Sequence, residues 1–254
     1  MNNTQRTLFA IYIPITLLIV IFDNIYSNEA MVQHLKYTIM ITLCFSVTVV
    51  RKKFWEQKLM ALSFLFMVIA DFFLVFSTTV NGIKADFSLF GIAGFLFAYL
   101  SLIAAYHKNF KVGKAEAITV IPVASIFLYV FVSLRPYVKG FMFIETLIFG
   151  VVLCYMTWTA VCTIFRGYFN PRIASLIALS GSLMFICDMG VAFSLFHPLY
   201  AGSYMCWPKS IVWAAYILGW TILAVIVSEK DLRISTAADS FQSTVYTDEP
   251  LENN

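Results

Sequence analysis

The stretch that decides the fold is residues 57–80, QKLMALSFLFMVIADFFLVFSTTV, a long apolar run with one carboxylate, Asp71, inside it. A helix needs about 20 predominantly apolar residues to cross a bilayer, so this run predicts a membrane-spanning helix. A carboxylate inside such a helix costs roughly 2.5–3.5 kcal/mol on insertion scales. Asp71 is therefore a candidate functional residue.

A second apolar run repeats the residues around Asp71. Five residues recur at the same offsets: Met67, Ile69, Asp71, Phe76 and Ser77 in the first run, and Met184, Ile186, Asp188, Phe193 and Ser194 in the second. Asp71 and Asp188 lie 117 residues apart. If each half contains four spans, the halves would be parallel repeats. Two intramembrane acids in matching surroundings predict a functional site.

The composition places the chain in a membrane. Hydrophobic residues make up 61% of it and charged residues 12%, against about 45–50% and 25% in soluble domains. The net charge of +3 comes from basic loops, so it does not indicate nucleic-acid binding. The five cysteines form neither a CxxC pair nor a disulfide framework, since four lie in apolar segments and Cys206 lies in an expected loop. We predict no metal and no cofactor.

The apolar runs predict an all-α fold, a polytopic transmembrane helical bundle of about eight spans. This transmembrane domain would occupy residues 1–234, followed by a polar, disordered cytoplasmic tail over residues 235–254. The sequence leaves the oligomeric state open. The predicted spans are 7–25, 32–50, 57–80, 87–107, 115–134, 140–165, 173–196 and 208–229.

Lys and Arg in the loops predict the orientation. Twelve of these residues flank one side of the predicted membrane and four flank the other: Lys84, Arg135, Lys139 and Lys209. Because cytoplasmic loops carry an excess of basic residues, both termini should lie in the cytoplasm. We expect an integral protein of a bacterial cell membrane.

Several ionisable residues should share one layer of the membrane. With a helix rise of about 1.5 Å per residue, Asp71 and Asp188 lie about 21–23 Å from the cytoplasmic edge. Lys36 and Glu145 fall in nearly the same layer, and two tyrosines, Tyr99 and Tyr216, lie somewhat deeper. Lys36 could partner one carboxylate, while repulsion between the remaining acids would keep one of them protonated. Such a pair could act as general acid and base. The matched depths predict that spans three and seven are neighbours and that Asp71 and Asp188 face a shared polar cavity.

Three spans carry short motifs: Lys36-Tyr37, Ala70-Asp71, and residues 181–188, GSLMFICD, which Arg172 precedes. These motifs resemble those of the YhhN family of eight-span membrane proteins, which includes the lysoplasmalogenases. Lys36-Tyr37 stands where that family has Lys-Pro in span two, and Ala70-Asp71 where it has Gly-Asp in span three. Residues 181–188, GSLMFICD, match its small-residue stretch ending in Ser-Asp in span seven, and Arg172 precedes that stretch as in the family.

Spans four and eight match the family in part. Gly91 and Phe95 fit the pattern of span four, but Tyr99 stands where the family has His. Tyr216 fits span eight, where Gly219 takes the position of a Gln. The resemblance covers nearly the whole chain in the number and spacing of spans, and the two departures remove two polar groups.

The resemblance implies a membrane-embedded hydrolase that cleaves the vinyl ether bond of lysoplasmalogen to a fatty aldehyde and a glycerophospho-base. Asp71 and Asp188 would be the catalytic acid and base or stabiliser, in an order that the sequence leaves open. Lys36, Tyr99, Tyr216 and Glu145 would support them, with Lys36 holding one carboxylate ionised or contacting the lipid phosphate. The partners would be a lysoplasmalogen-like lipid and the membrane.

Two other functional classes fit the composition. A small proton-coupled transporter or carrier could use the same intramembrane carboxylates and parallel repeats. A microbial-rhodopsin-like photoreceptor has a similar length and aromatic content, but it needs a lysine inside the last span for its Schiff base. Here Lys209 lies only at the edge of that span, which disfavours the photoreceptor.

Overall fold

The structure, a computed structural model, describes residues 2–26, 30–80, 87–200 and 206–234, without the side chains of residues 78 and 206–209. Within these ranges the chain forms eight long helices, each long and apolar enough to cross a membrane. This confirms the prediction of an all-α bundle with eight spans. The predicted tail over residues 235–254 lies outside the described residues, and its disorder stays a prediction.

The helices follow the predicted spans to within a few residues at most ends. Cys206, expected in a loop, instead begins the last helix. The helices are α1 (Asn3–Ile25), α2 (Ala30–Val49), α3 (Trp55–Asp71), α4 (Ser88–Tyr106), α5 (Lys114–Leu134), α6 (Phe141–Arg166), α7 (Pro171–Phe196) and α8 (Cys206–Val227).

We call the end of the bundle that carries Asn2 and Ser228 the basal end, and the opposite end the distal end.

Local sequence signals set several helix ends. Asn2 accepts a hydrogen bond from the backbone N–H of Gln5 (2.8 Å), and the Gln5 side chain accepts one from the backbone N–H of Asn2 (3.0 Å). This reciprocal pair satisfies donors that the first turn of α1 leaves open. At the start of α7, Asn170 is the N-cap and Pro171 follows at the first helical position. Gly167 ends α6 in the left-handed region (φ 61°), where glycine carries no Cβ penalty.

The helical geometry changes immediately after Asp71. Residues Phe72–Phe76 form a π-helical turn and Ser77–Thr79 a 3₁₀ turn. Such π segments occur frequently at functional sites, because the wider turn changes which side chains point inward. The counterpart of this segment in α7 is α-helical. The two matching runs therefore share residues but differ in backbone geometry.

Helix α8 lies at the centre of the bundle, where it packs against α1, α2, α3 and α7. It is the most buried span, whereas α5 is the most exposed. Glycines bring two helix pairs close together, as is typical of membrane bundles. A Cβ on Gly94 of α4 would lie 2.9 Å from the Cβ of Ala70, the residue before Asp71. At the contact of α7 with α8, Ser180 donates a hydrogen bond to the carbonyl oxygen of Gly219 (2.8 Å).

The sequence match between α3 and α7 is longer than the five positions around the carboxylates. At the same offset of 117 residues, four further residues are identical: Leu59, Ala61, Leu62 and Ser63 match Leu176, Ala178, Leu179 and Ser180. Each matching helix also packs extensively on the helix that follows it, α3 on α4 and α7 on α8. Within the described residues, however, no Cα atom of α3 lies within 8 Å of a Cα atom of α7, so the expectation that spans three and seven are direct neighbours was wrong. Helix α8 packs against both and separates them.

Candidate active site

Each of the two carboxylates accepts a hydrogen bond from a buried tyrosine. The hydroxyl of Tyr216 on α8 donates to Asp71 on α3 (2.7 Å), and the hydroxyl of Tyr99 on α4 donates to Asp188 on α7. The pairing is crossed, because each aspartate bonds the tyrosine from the other half of the chain. The tyrosines, like the aspartates, lie 117 residues apart. The repeat therefore supplies two copies of one aspartate–tyrosine arrangement.

Asp71 and Asp188 line one shared cavity of about 500 Å³. Its walls come from the halves of the helices that lie towards the distal end, including the first turns of α2, α4 and α6 and the last turns of α7. Apolar side chains such as Ile92, Phe95 and Val191 form much of the lining. The basal half of the bundle is instead filled by buried side chains, with the rings of Phe64 and Trp220 in edge contact at 5.0 Å. The two carboxylates thus share a cavity as expected, but its lining is mostly apolar, whereas the sequence analysis predicted a polar one.

Lys36 lines the same cavity but pairs with an acid that the sequence analysis did not single out. Its ammonium lies 2.5 Å from Asp23 Oδ1, and the two side chains are 1% and 4% exposed. The sequence analysis expected Lys36 to pair with one of the acids in its predicted membrane layer, and it did not consider Asp23 as a partner. Asp23 lies two residues before the last residue of α1, where a charged side chain usually reaches the interface. Lys36 Nζ also lies 4.4 Å from the ring centroid of Trp213.

Aromatic contacts link the ion pair to the first carboxylate. The Trp213 ring contacts Tyr216 edge-on, with 5.5 Å between ring centroids, and Tyr216 donates its hydroxyl to Asp71. The ion pair is thus on the side of the cavity formed by α2, α3 and α8. Asp188 lies on the side of the cavity formed by α6 and α7, where it also lines a cleft between α5, α6 and α7.

The cavity lining does not include three positions singled out from the sequence: Tyr99, Glu145 and Gly219. Tyr99 is almost fully buried and is linked to the cavity through its hydrogen bond to Asp188. Glu145 lies half-buried on the first turns of α6, and it makes no hydrogen bond or ion pair with the described residues, whereas the adjacent Thr146 lines the cavity. Gly219 lies at the contact of α7 with α8, where its carbonyl accepts from Ser180. The glycine in place of the family's glutamine therefore affects helix packing.

The basal end contains two further buried acids, which the sequence analysis did not consider. Glu56 bonds Arg233 (2.7 Å) and the hydroxyl of Tyr168 (2.8 Å), and Lys108 lies 3.4 Å away. Burial, with the hydrogen bond to Glu56, raises the pKa of Tyr168 to about 12, so this hydroxyl remains a donor at neutral pH. These contacts join the segment after α8 to the loop between α6 and α7.

The second basal acid is Glu116, at the start of α5. It bonds Arg166 Nε at the end of α6 (2.8 Å) and accepts from the backbone N–H of Gly113 (2.8 Å). Both side chains of this ion pair are almost fully buried. The pair joins the last turn of α6 to the first turn of α5.

The cavity acids are suited to proton transfer. A tyrosine hydroxyl donates to a carboxylate and can also accept from a carboxylic acid, so the contact survives a change in protonation. Two such acids in one cavity can divide the roles of general acid and general base. Within the described residues no group of three or more His, Cys, Asp or Glu side chains is arranged to hold a metal ion.

The fold and the site together define a class: a membrane protein whose described residues form eight spans, in which two aspartates, each bonded to a tyrosine, line one cavity. The model of the YhhN family matches residues 31–227, which is most of the chain. The protein belongs to the YhhN family. Comparisons with curated proteins and with solved structures gave no match.

Proposed function

We propose that the protein is a membrane-embedded hydrolase of the lysoplasmalogenase type, which cleaves the vinyl ether bond of a lysoplasmalogen-like lipid. One observation carries the proposal: two aspartates, each bonded to a tyrosine hydroxyl, line a single cavity within the helical bundle. Membership of the YhhN family supports it, because that family is associated with lysoplasmalogenase-like proteins.

The chemistry needs one acid and one base. The protonated aspartate transfers its proton to the vinyl carbon further from the ether oxygen, which leaves an oxocarbenium ion. The ionised aspartate stabilises that ion and then accepts a proton from water as the water adds to the carbon next to the oxygen. The first aspartate takes the hydroxyl proton of the resulting hemiacetal, while the second protonates the departing oxygen. Aldehyde and glycerophospho-base leave, and both aspartates regain their starting states.

The cavity suits this reaction in two respects. Its apolar lining matches a hydrocarbon chain, and both aspartates line it. The tyrosine hydroxyls hold each carboxylate at a fixed position, which places the reacting groups before substrate binds.

The direct test is incubation of the purified full-length protein in detergent with lysoplasmalogen and with the matching ester lysolipid. We expect fatty aldehyde from the vinyl ether and no fatty acid from the ester. If the wild-type protein releases no aldehyde, the hydrolase proposal is wrong. A proton-coupled carrier would instead move a substrate only across a sealed vesicle, so the detergent assay separates the two classes.

We also propose that the basal end faces the cytoplasm, because twelve basic residues flank the predicted spans on the side of Arg6 and Lys230, against four on the other side. A reporter fused after Asn254 should be active only in its cytoplasmic form. A reporter active on the opposite side of the membrane would show that the distal end faces the cytoplasm. The cavity would then be accessible from the cytoplasmic leaflet.

A further inference from the structure

The Lys36–Asp23 ion pair is a feature of the cavity that the internal repeat does not reproduce. At the offset of 117 residues that relates the two aspartate–tyrosine pairs, Asp23 corresponds to Gly140 and Lys36 to Leu153. Leu153 is fully buried in the apolar core. The ion pair therefore makes one side of an otherwise repeated site different from the other.

A stabilising role alone does not account for a buried ion pair. The desolvation of two charges often exceeds their attraction, and apolar residues of similar volume commonly stabilise a protein as well or better. Asp23 and Lys36 keep both charges almost without exposed surface while they line the cavity. Side chains of this kind are typical of ligand-binding sites, where a few charged groups orient a ligand within a largely apolar pocket.

We propose that Lys36 and Asp23 bind the zwitterionic headgroup of the lipid, with the phosphate on the Lys36 ammonium and the headgroup amine on the Asp23 carboxylate. This rests on the proposed hydrolase function and names the headgroup class that the site takes. The charges match: one internal ion pair is replaced by two between protein and lipid, and no net charge is buried. The face of Trp213, now next to Lys36 Nζ, offers an aromatic surface to a cation.

The other side of the cavity is suited to the hydrocarbon chain. Asp188 lies where the cavity meets a narrow cleft of about 60 Å³ between α5, α6 and α7. Side chains of Phe131, Leu134, Phe143 and Met189 line that cleft. With the headgroup at Lys36 and Asp23, the chain would extend towards α6 and α7, and the vinyl ether would lie between the two aspartate–tyrosine pairs.

The experiment compares kcat/KM for three substrates with the same alkenyl chain. These are the ethanolamine lysolipid, the lysolipid with a bare phosphate, and neutral 1-alkenylglycerol. In K36M the preference for the bare phosphate over the neutral substrate should fall about 10–100-fold, the range expected when a hydrogen bond to a charged group is lost. In D23N the preference for ethanolamine over the bare phosphate should fall by a similar factor.

Two further variants separate recognition from folding. The double variant K36M/D23L replaces the ion pair with apolar side chains, so it should fold and lose both preferences. The matched control E116Q/R166M neutralises a buried ion pair at the basal end and should keep both preferences. If K36M and D23N lower kcat/KM equally for all three substrates, the pair serves only to hold the site together and the headgroup proposal is wrong.

A binding measurement keeps the proposal distinct from the hydrolase assignment. A non-hydrolysable alkyl ether lysophosphoethanolamine should raise the Tm of the wild-type protein more than that of K36M, even if the wild type hydrolyses none of the three substrates. An equal shift in both proteins would overturn the headgroup site. Soluble glycerophosphoethanolamine should compete far more weakly than the lysolipid. If it binds as tightly, the site takes a soluble phospho-amine and the lipid assignment is wrong.

Discussion

The acids inside the bundle have different partners at its two ends. At the basal end Glu56 and Glu116 lie in ion pairs with arginine. In the cavity Asp71 and Asp188 accept hydrogen bonds from tyrosine hydroxyls. An arginine neighbour favours one state of an acid, the ionised one, whereas a tyrosine hydroxyl can bond either state. The comparison teaches that the basal acids hold helices together, while the cavity acids can gain and lose a proton in place.

The largest effect should come from the cavity acids. D71N and D188N should each lower turnover about 10²–10⁴-fold, because asparagine keeps the size of the side chain but neither donates an acidic proton nor carries charge. Aldehyde release and thermal unfolding in detergent measure the two properties separately. E56Q at the basal end is the control and should keep its activity per folded molecule. If both asparagine variants hydrolyse lysoplasmalogen at the wild-type rate, the catalytic assignment fails.

The next effect concerns stability at the basal end. R166M leaves Glu116 buried without its arginine, and the loss of one member of a buried pair costs about 3 kcal/mol or more of unfolding free energy. A shift of the unfolding midpoint in detergent measures it. The double variant E116L/R166M should recover much of the loss, because it leaves no unpaired charge. An unchanged midpoint in R166M would show that this pair is not a structural link between α5 and α6.

A smaller effect should follow removal of the tyrosine hydroxyls. Y216F and Y99F should each lower kcat/KM about 10-fold, since each aspartate loses one hydrogen bond in a charged network. The crossed pairing makes a specific prediction: Y216F combined with D71N should be no worse than D71N alone, because the two changes remove one interaction. The pairing would be contradicted if the effect of Y216F on kcat/KM disappeared in D188N and persisted in D71N.

The smallest effect should come from restoring the usual family residue. Y99H should retain or raise activity, because a histidine N–H can replace the tyrosine hydroxyl as a donor to Asp188. A steady-state assay on lysoplasmalogen measures the change, with Y99F as the comparison. Activity of Y99H below that of Y99F would show that histidine does not fit between α4 and α7.

Much of the site could be predicted from the sequence, because charge in an apolar span is a strong signal. Asp71 and Asp188 stand out by their cost in a membrane and by their repeated surroundings. The same offset of 117 residues also relates Tyr99 to Tyr216, and it would have indicated their equivalent roles. Asp23 gave a weaker signal, since an acid close to the end of a span usually reaches the interface. Its pairing with Lys36 requires the contact between α1 and α2, which only the tertiary structure shows.

The sequence by itself determined the eight spans and the membrane layer of the two carboxylates, because hydrophobic length and helix rise act along the chain. Only the tertiary structure decided which groups meet. It put α8 between α3 and α7 and crossed the aspartate–tyrosine pairs between the two halves. It also paired Lys36 with Asp23 and left Glu145 outside the cavity lining. The physical reason is that contacts between membrane helices depend on close packing by small residues such as Gly94 and Gly219. Which helix packs against such a residue depends on the shapes of both helix surfaces, and only the folded bundle brings these surfaces together.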